Sequence, residues 1–146
     1  MKKLQQGRSM IEMLGVLAII GVLSIGGLAG YTMAMNRHKA NSIMDYVARC
    51  AVVSQTRGMG ADEDLTATTC GALLVDEKAP VGEATAYAVG GATNGQFTIK
   101  TPALTEAVAK AIASRNAANG NPTIAADASN QVTFTFNPVT TTPSGG

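Results

Sequence analysis

Met13-Leu14-Gly15-Val16-Leu17-Ala18-Ile19-Ile20-Gly21-Val22-Leu23-Ser24-Ile25-Gly26-Gly27-Leu28-Ala29-Gly30-Tyr31 decides how this chain is organised. These nineteen residues carry no charge, and Ser24 is the only clearly polar side chain before Tyr31. As a helix rising 1.5 Å per residue they span roughly 29 Å, about one hydrocarbon core thickness. Lys2, Lys3 and Arg8 precede the stretch. By the positive-inside rule the N-terminus stays cytoplasmic and the C-terminal bulk crosses. Arg37 and Lys39 follow the stretch and weaken that bias.

Glu12 stands at the lip of this run, and the next charge is Arg37. A carboxylate at the centre of a bilayer helix costs on the order of 2.5 to 3.5 kcal/mol, so an acid on the entry side of a membrane segment needs a partner or a purpose. Five residues before it lies Gly7, and before that the short basic leader Met1-Lys2-Lys3-Leu4-Gln5-Gln6. Removing residues 1–7 would delete Lys2 and Lys3 and take the remainder from +1 to −1. Within the run, Gly26 and Gly30 form a small-xxx-small pair that lets helix backbones approach closely. Glycine also weakens a helix by about 1 kcal/mol relative to Ala, so the same stretch is a place where the helix could open.

The helical pattern continues past the membrane stretch. No Pro or Gly occurs from Met33 to Gln55. Ala40, Ile43, Met44, Val47, Cys50, Ala51 and Ser54 recur at spacings of three and four, an amphipathic stripe. Lys39, Asn41, Ser42, Asp45 and Arg49 lie elsewhere around the helix. One helix is expected from about Ser9 to Gln55, half in lipid and half laid on a domain, with Gly58 and Gly60 ending it.

The chain has 146 residues, enough for one small domain and one long helix. Its hydrophobic content of 46% is concentrated in the first third. Aromatics make up 4% and Trp is absent, which predicts a thin core of small aliphatic residues, Ala and Thr. A net charge of +1 favours neither nucleic acid nor an acidic substrate. Two cysteines, Cys50 and Cys70, suggest one disulfide if the domain is exported, and two free thiols if it stays in a reducing compartment.

After the helix, Asp62-Glu63-Asp64 reads as a solvated acidic loop, lacking the spaced oxygen ligands of a calcium loop. Residues 65–75 fit a short helix carrying Cys70, Leu73 and Leu74, broken by Pro80 and Gly82. Residues 85–89 and 96–100 read as strands, with residues 90–95 a turn-rich loop between them. Thr101-Pro102 reads as an N-cap and first helical position. Leu104, Val108, Ala111, Ile112 and Arg115 then follow helical spacing toward Asn119-Gly120. Residues 131–137 alternate strictly, with Val132, Phe134 and Phe136 on one face. Residues 139–146 read as a loose tail. The expected architecture is therefore α+β: a long N-terminal helix packed on a small antiparallel sheet with one or two extra helices. Its boundaries are a leader at 1–7, a helix at 8–57 with its membrane part at 13–31, and a globular domain at 58–146.

Reactive chemistry is not signalled. His38, the single histidine, sits between Arg37 and Lys39 and reads as a headgroup-facing side chain. No Ser/His/acid triad, zinc spacing or phosphate loop is present in the sequence. No catalytic residue, cofactor, metal or nucleic-acid face is expected.

Gly7-Arg8-Ser9-Met10-Ile11-Glu12, followed by the uncharged run from Met13, resembles the type IV pilin and pseudopilin family over about the first 50 residues. The resemblance implies a pilin-like fold and a prepilin cut after Gly7 by a membrane-embedded prepilin peptidase. Arg8 would become the new N-terminal residue and carry an N-methyl group. Glu12 would pair with the N-terminal amine of a neighbouring subunit. The subunit would wait in the bacterial inner membrane and then enter a homo-oligomeric helical filament, periplasmic or on the cell surface, built by pilus or secretion machinery. Two features depart from the family pattern: Arg8 replaces the usual Phe, Met or Leu, and no proline occurs before Pro80. The competing reading is a single-span anchored or secreted domain with an ordinary signal segment. In that reading residues 13–25 are its hydrophobic part and Gly27-Leu28-Ala29 its cleavage site.

Overall fold

The structure, a computed structural model, describes residues 4–56, 68–93, 96–116 and 120–137. The expectations for the acidic loop at 62–64, for Gly58 and Gly60, and for the tail at 139–146 lie outside these residues.

Helix α1 runs without a break from Leu4 to Thr56, 53 residues. It ends within one residue of the expected position. It begins earlier than expected, because Leu4, Gln5 and Gln6 are good helix formers and a single Gly7 is too weak a breaker to stop them. Its backbone is also helical through Gly26, Gly27 and Gly30. The chain divides into two compact units, Met1–Met35 and Asn36–Gly146, so the second includes the amphipathic half of α1.

In the second unit α1 is followed by β1 (Thr68–Thr69), α2 (Cys70–Leu73), a 3-10 turn (Ala84–Ala86), β2 (Ala88–Thr93), β3 (Gln96–Lys100), α3 (Glu106–Ala113), β4 (Thr123–Ala126) and β5 (Val132–Phe136). The strands form one antiparallel sheet in the order β1-β2-β3-β5-β4. The class is α+β, a long N-terminal helix with a small antiparallel sheet and short additional helices.

Registration explains the core. Val89 pairs with Ile99, Ile99 with Phe134, and Phe134 with Ile124, so one apolar row crosses four strands. All four are buried. Successive strand residues point to opposite faces, which leaves Thr98, Thr133 and Thr135 half-buried on the other side. The α1 stripe joins the same cluster through Ala40, Ile43, Val47, Cys50 and Ala51, and α3 joins through Val108, Ala109 and Ile112. Arg115, just beyond α3, donates a hydrogen bond to Asn41 of α1.

Four expectations are corrected. The core is not built mainly from small residues: Tyr46, Tyr87, Phe97 and Phe134 are fully buried, so the few aromatics are concentrated where they remove most area from water. Tyr46, which the stripe omitted, is 1% exposed and packs edge-on against Tyr87 with centroids 5.0 Å apart.

The strand expected at 85–89 starts three residues later, and Gly90 lies inside it rather than in a turn. A Cβ at Gly90 would fall 2.4 Å from Thr98 Oγ1 on the neighbouring strand. Glycine serves close approach here, a use of the residue that sequence alone does not separate from a turn.

Thr101 is not a helix cap. Its N–H donates to the Val132 carbonyl at 2.9 Å, and its hydroxyl accepts the Val132 N–H at 3.0 Å. With residue 101 tied to β5, and Leu104 N–H donating to the Asn130 carbonyl, the helix starts only at Glu106. It also stops at Ala113, short of the expected Asn119-Gly120.

Strands β1 and β4 were not expected. β4 has only four residues, with exposed Thr123, Ala125 and Ala126 around buried Ile124, too weak a pattern to separate from a loop. Its outer edge is partly capped: the Ile124 N–H donates to Asn116 Oδ1 at 2.7 Å, which blunts an otherwise open edge.

Candidate functional site

Two places in this chain carry features beyond folding. The first is the apolar half of α1. Every described side chain from Ser9 to Met35 is exposed. Ile11, Val22 and Ile25 are each more than 70% exposed, and a long run of exposed apolar side chains marks a protein or membrane contact surface. The helix is long and apolar enough to cross a membrane.

The polar groups within it are arranged to suit such surroundings. Ser24 Oγ donates to the Ile20 carbonyl at 2.7 Å, and Thr32 Oγ1 donates to the Ala29 carbonyl at 2.9 Å. Both hydroxyls are thus satisfied within the helix, which removes most of the cost of placing them away from water. Glu12 is different. It is exposed, lies between Ile11 and Met13, and has no hydrogen-bond or ion-pair partner among the described residues. Gly7 is within the helical backbone, while the side chain of Arg8 is outside the described residues.

A Cβ placed at Gly26 or Gly30 would meet nothing within 4 Å. No contact among the described residues requires these glycines. They lie one turn apart and leave a shallow stretch of bare backbone on the helix surface.

The second place is where α2 joins α1. Cys50 and Cys70 form a disulfide with Cα atoms 5.5 Å apart, and both residues are completely buried. Thr69 caps α2 by accepting the Ala72 N–H, and the Cys70 N–H donates to the Tyr87 carbonyl at 2.9 Å. The bridge therefore ties α1, the start of α2 and the segment before β2 at one point. Close by, Arg49 bridges Asp45 and Glu77, each at 3.0 Å. Together with Val52, Val53 and Leu74 it borders an open, shallow, mostly apolar groove.

Several titratable groups in the second unit have structural partners. Burial pushes the Tyr87 hydroxyl up to about 12, with Tyr46 adding to the rise and the hydrogen bond to the Val81 carbonyl opposing it. Burial also raises Tyr46, helped by Glu77. The Gln131 N–H holds the Asp127 carboxyl below its ordinary value, with Lys100 and the Ser129 N–H contributing, and so fixes the β4–β5 turn. His38 is exposed, and its carbonyl accepts the Ser42 hydroxyl. Among the described residues no group of three His, Cys, Asp or Glu could hold a metal ion.

Of the residues singled out from sequence, Cys50 and Cys70 are brought together, Gly26 and Gly30 share an open helix surface, and Glu12 has no partner among the described residues. The sequence reading missed the Tyr46–Tyr87 contact, although Tyr46 falls within the α1 stripe at Ile43 plus three. Comparison with protein-family models, with curated proteins and with solved structures finds no match to this chain.

Proposed function

We propose that this protein is a structural subunit of a type IV pilus-like filament, a pilin or pseudopilin, rather than an enzyme. In this reading a prepilin peptidase cuts between Gly7 and Arg8, and the new N-terminal residue is N-methylated. The subunit is held in the bacterial inner membrane by α1, N-terminus cytoplasmic. Pilus or secretion machinery then moves it into a homo-oligomeric helical filament.

One observation carries the proposal: a carboxylate with no partner among the described residues, Glu12, heads a long exposed apolar helix five residues after Gly7. An ordinary anchor has no use for that acid. In a bundle of such helices a buried carboxylate is costly unless paired, and the amine freed by cleavage supplies a cation at the matching end. Small residues such as Gly26 and Gly30 would let neighbouring helices approach, and a repeated heterologous contact that does not close gives a fibre. The second unit would then coat the outside.

The deciding experiment is the N-terminal mass after co-expression with a prepilin peptidase. A start at Arg8, with or without one added methyl group, is the expected result. A start near Gly30, or an intact Met1 that ignores the peptidase, would replace this reading with a secreted or single-span anchored domain.

A further inference from the structure

Residues 81–89 bracket the Cys50–Cys70 bridge from both of its ends. On the Cys70 side, Thr68 and Thr69 pair with Val89 and Ala88 in the sheet, and the Cys70 N–H donates to the Tyr87 carbonyl at 2.9 Å. On the Cys50 side, the Tyr87 ring packs edge-on against Tyr46, which lies about one helical turn before Cys50 on α1. The Tyr87 hydroxyl donates to the Val81 carbonyl at 2.9 Å and so folds the segment back on itself.

Between these attachments the segment lies directly on α2. A Cβ at Gly71, the residue after Cys70, would fall 2.9 Å from Ala84 Cβ and 3.0 Å from the Ala84 carbonyl carbon. One of those two atoms is backbone, so a side chain at position 71 would push the 3-10 turn away from α2. Cys50, Cys70 and Tyr87 are each 0% exposed.

This enclosure has a chemical consequence. A disulfide forms or breaks when a thiolate attacks a sulfur, so the reaction needs access as well as a reactive thiol. In the closed unit no external sulfur reaches either cysteine. A bridge already formed is out of reach of a reductant, and two thiols enclosed before oxidation would be out of reach of an oxidant. The bond must therefore be made first.

We propose that the second unit is the substrate of a thiol–disulfide exchange reaction that acts before residues 81–89 close over Cys50 and Cys70, and that this segment then seals the bridge. In the open chain one cysteine thiolate attacks the oxidant's disulfide and expels one of its sulfurs as a thiolate. The other cysteine thiolate attacks the mixed disulfide, forming Cys50–Cys70 and expelling the oxidant's second sulfur. The two cysteines lose two electrons and two protons, and the oxidant gains both as two thiols. All the residues involved belong to the second unit, so the step is the same whether or not the chain enters a filament.

The test uses the full chain in detergent micelles, with free thiols counted by a maleimide. Folded domains are open about one part in a thousand or less, so dithiothreitol should reduce the native protein at least about 100-fold more slowly than the protein in denaturing urea. Equal rates overturn the seal. For the order of events, the reduced chain is returned to native buffer and then given oxidised glutathione, with tyrosine near-ultraviolet circular dichroism reporting packing. Slow oxidation of a packed reduced chain supports the proposal, as does a reduced chain that packs only after oxidation. A packed reduced chain that oxidises as fast as in urea overturns it.

Two glycines separate the segment from general loss of stability. Gly71→Ala should speed native reduction by at least about fivefold, because overpacking there lifts the segment. Gly120→Ala strains a left-handed backbone position with nothing within 4 Å of the added Cβ, and should speed it clearly less. Equal effects would mean that reduction passes through global unfolding and that residues 81–89 are not the seal.

Discussion

Thr101 and Val132 exchange two hydrogen bonds, one through the Thr101 N–H and one through its hydroxyl, so a side chain extends the β3–β5 ladder past the end of β3. Thr101 is 1% exposed and Val132 is fully buried, and water does not replace the hydroxyl if it is removed. Thr101→Val keeps the volume but leaves the Val132 N–H without an acceptor. It should cost about 1–3 kcal/mol in urea unfolding, the penalty for a buried unpaired donor. Thr101→Ser keeps the acceptor and should cost clearly less. No loss for Thr101→Val, with a loss for Thr101→Ser, would mean that the methyl group, not the hydroxyl, matters at this position.

Tyr46 is the opposite case. Its hydroxyl is buried and has no hydrogen-bond partner among the described residues. Tyr46→Phe preserves the edge-on contact with Tyr87 and removes a poorly placed polar group. Stability should rise or stay level, by about 0–1 kcal/mol, rather than fall as it does for most core substitutions. A loss of 2 kcal/mol or more by the same measurement would show that the hydroxyl is engaged.

How much of this was legible in the sequence depends on the range of the interaction. The α1 stripe and the alternation at Val132, Phe134 and Phe136 arise from local periodicity, and both elements appear where they were expected. Thr101 and Gly90 defeated the reading because their roles are set by residues far away in sequence. Thr101 has the chemistry of a cap, but its partner lies 31 positions on. Gly90 has the chemistry of a turn, but its neighbour is Thr98 across the sheet. The apolar run and Glu12 were visible at once because an uncharged segment with one acid at its lip needs no tertiary context. What Glu12 meets is not written in one chain, since its partner in the proposed assembly belongs to another copy.

The Cys50–Cys70 bridge closes a loop of sequence separation 20. In the chain-entropy model a loop of that length is worth roughly 3 kcal/mol. For a unit of this size, replacing both cysteines by Ala should lower Tm by on the order of 10–20 °C. The double variant is the appropriate one, because a single substitution leaves a reactive thiol. A fall of less than about 3 °C would mean that packing around α2 holds the segment without the bond.

Alkaline pH should weaken this protein in a defined window. The folded Tyr87 hydroxyl titrates at about 12 against an ordinary 10.0. A group whose pKa is raised by folding contributes stability fully below its unfolded value. That contribution falls as pH climbs through 10 and is gone by about 12. Tyr46, also raised, acts in the same direction. Unfolding free energy measured from pH 9 to 12 should drop across that window, and Tyr87→Phe should flatten the drop. A flat wild-type profile would place the Tyr87 hydroxyl in contact with solvent.

Glu12 separates the two fates proposed for α1. In a lipid-bound monomer its carboxylate is a cost, up to about 2.5–3.5 kcal/mol at the bilayer centre and less near the face. In an assembled bundle, paired with a neighbour's amine, it becomes a contact whose loss leaves an unpaired buried cation, a penalty of about 3–5 kcal/mol. Glu12→Leu should therefore leave the membrane-bound fraction intact or larger while removing the protein from sheared filaments. Glu12→Asp keeps the charge but shortens the reach, and should give a partial loss. The measurement is the ratio of sheared to membrane-bound protein for the three chains. Filament yields that ignore both substitutions would leave Glu12 without a role in assembly, whatever the route by which the N-terminus is processed.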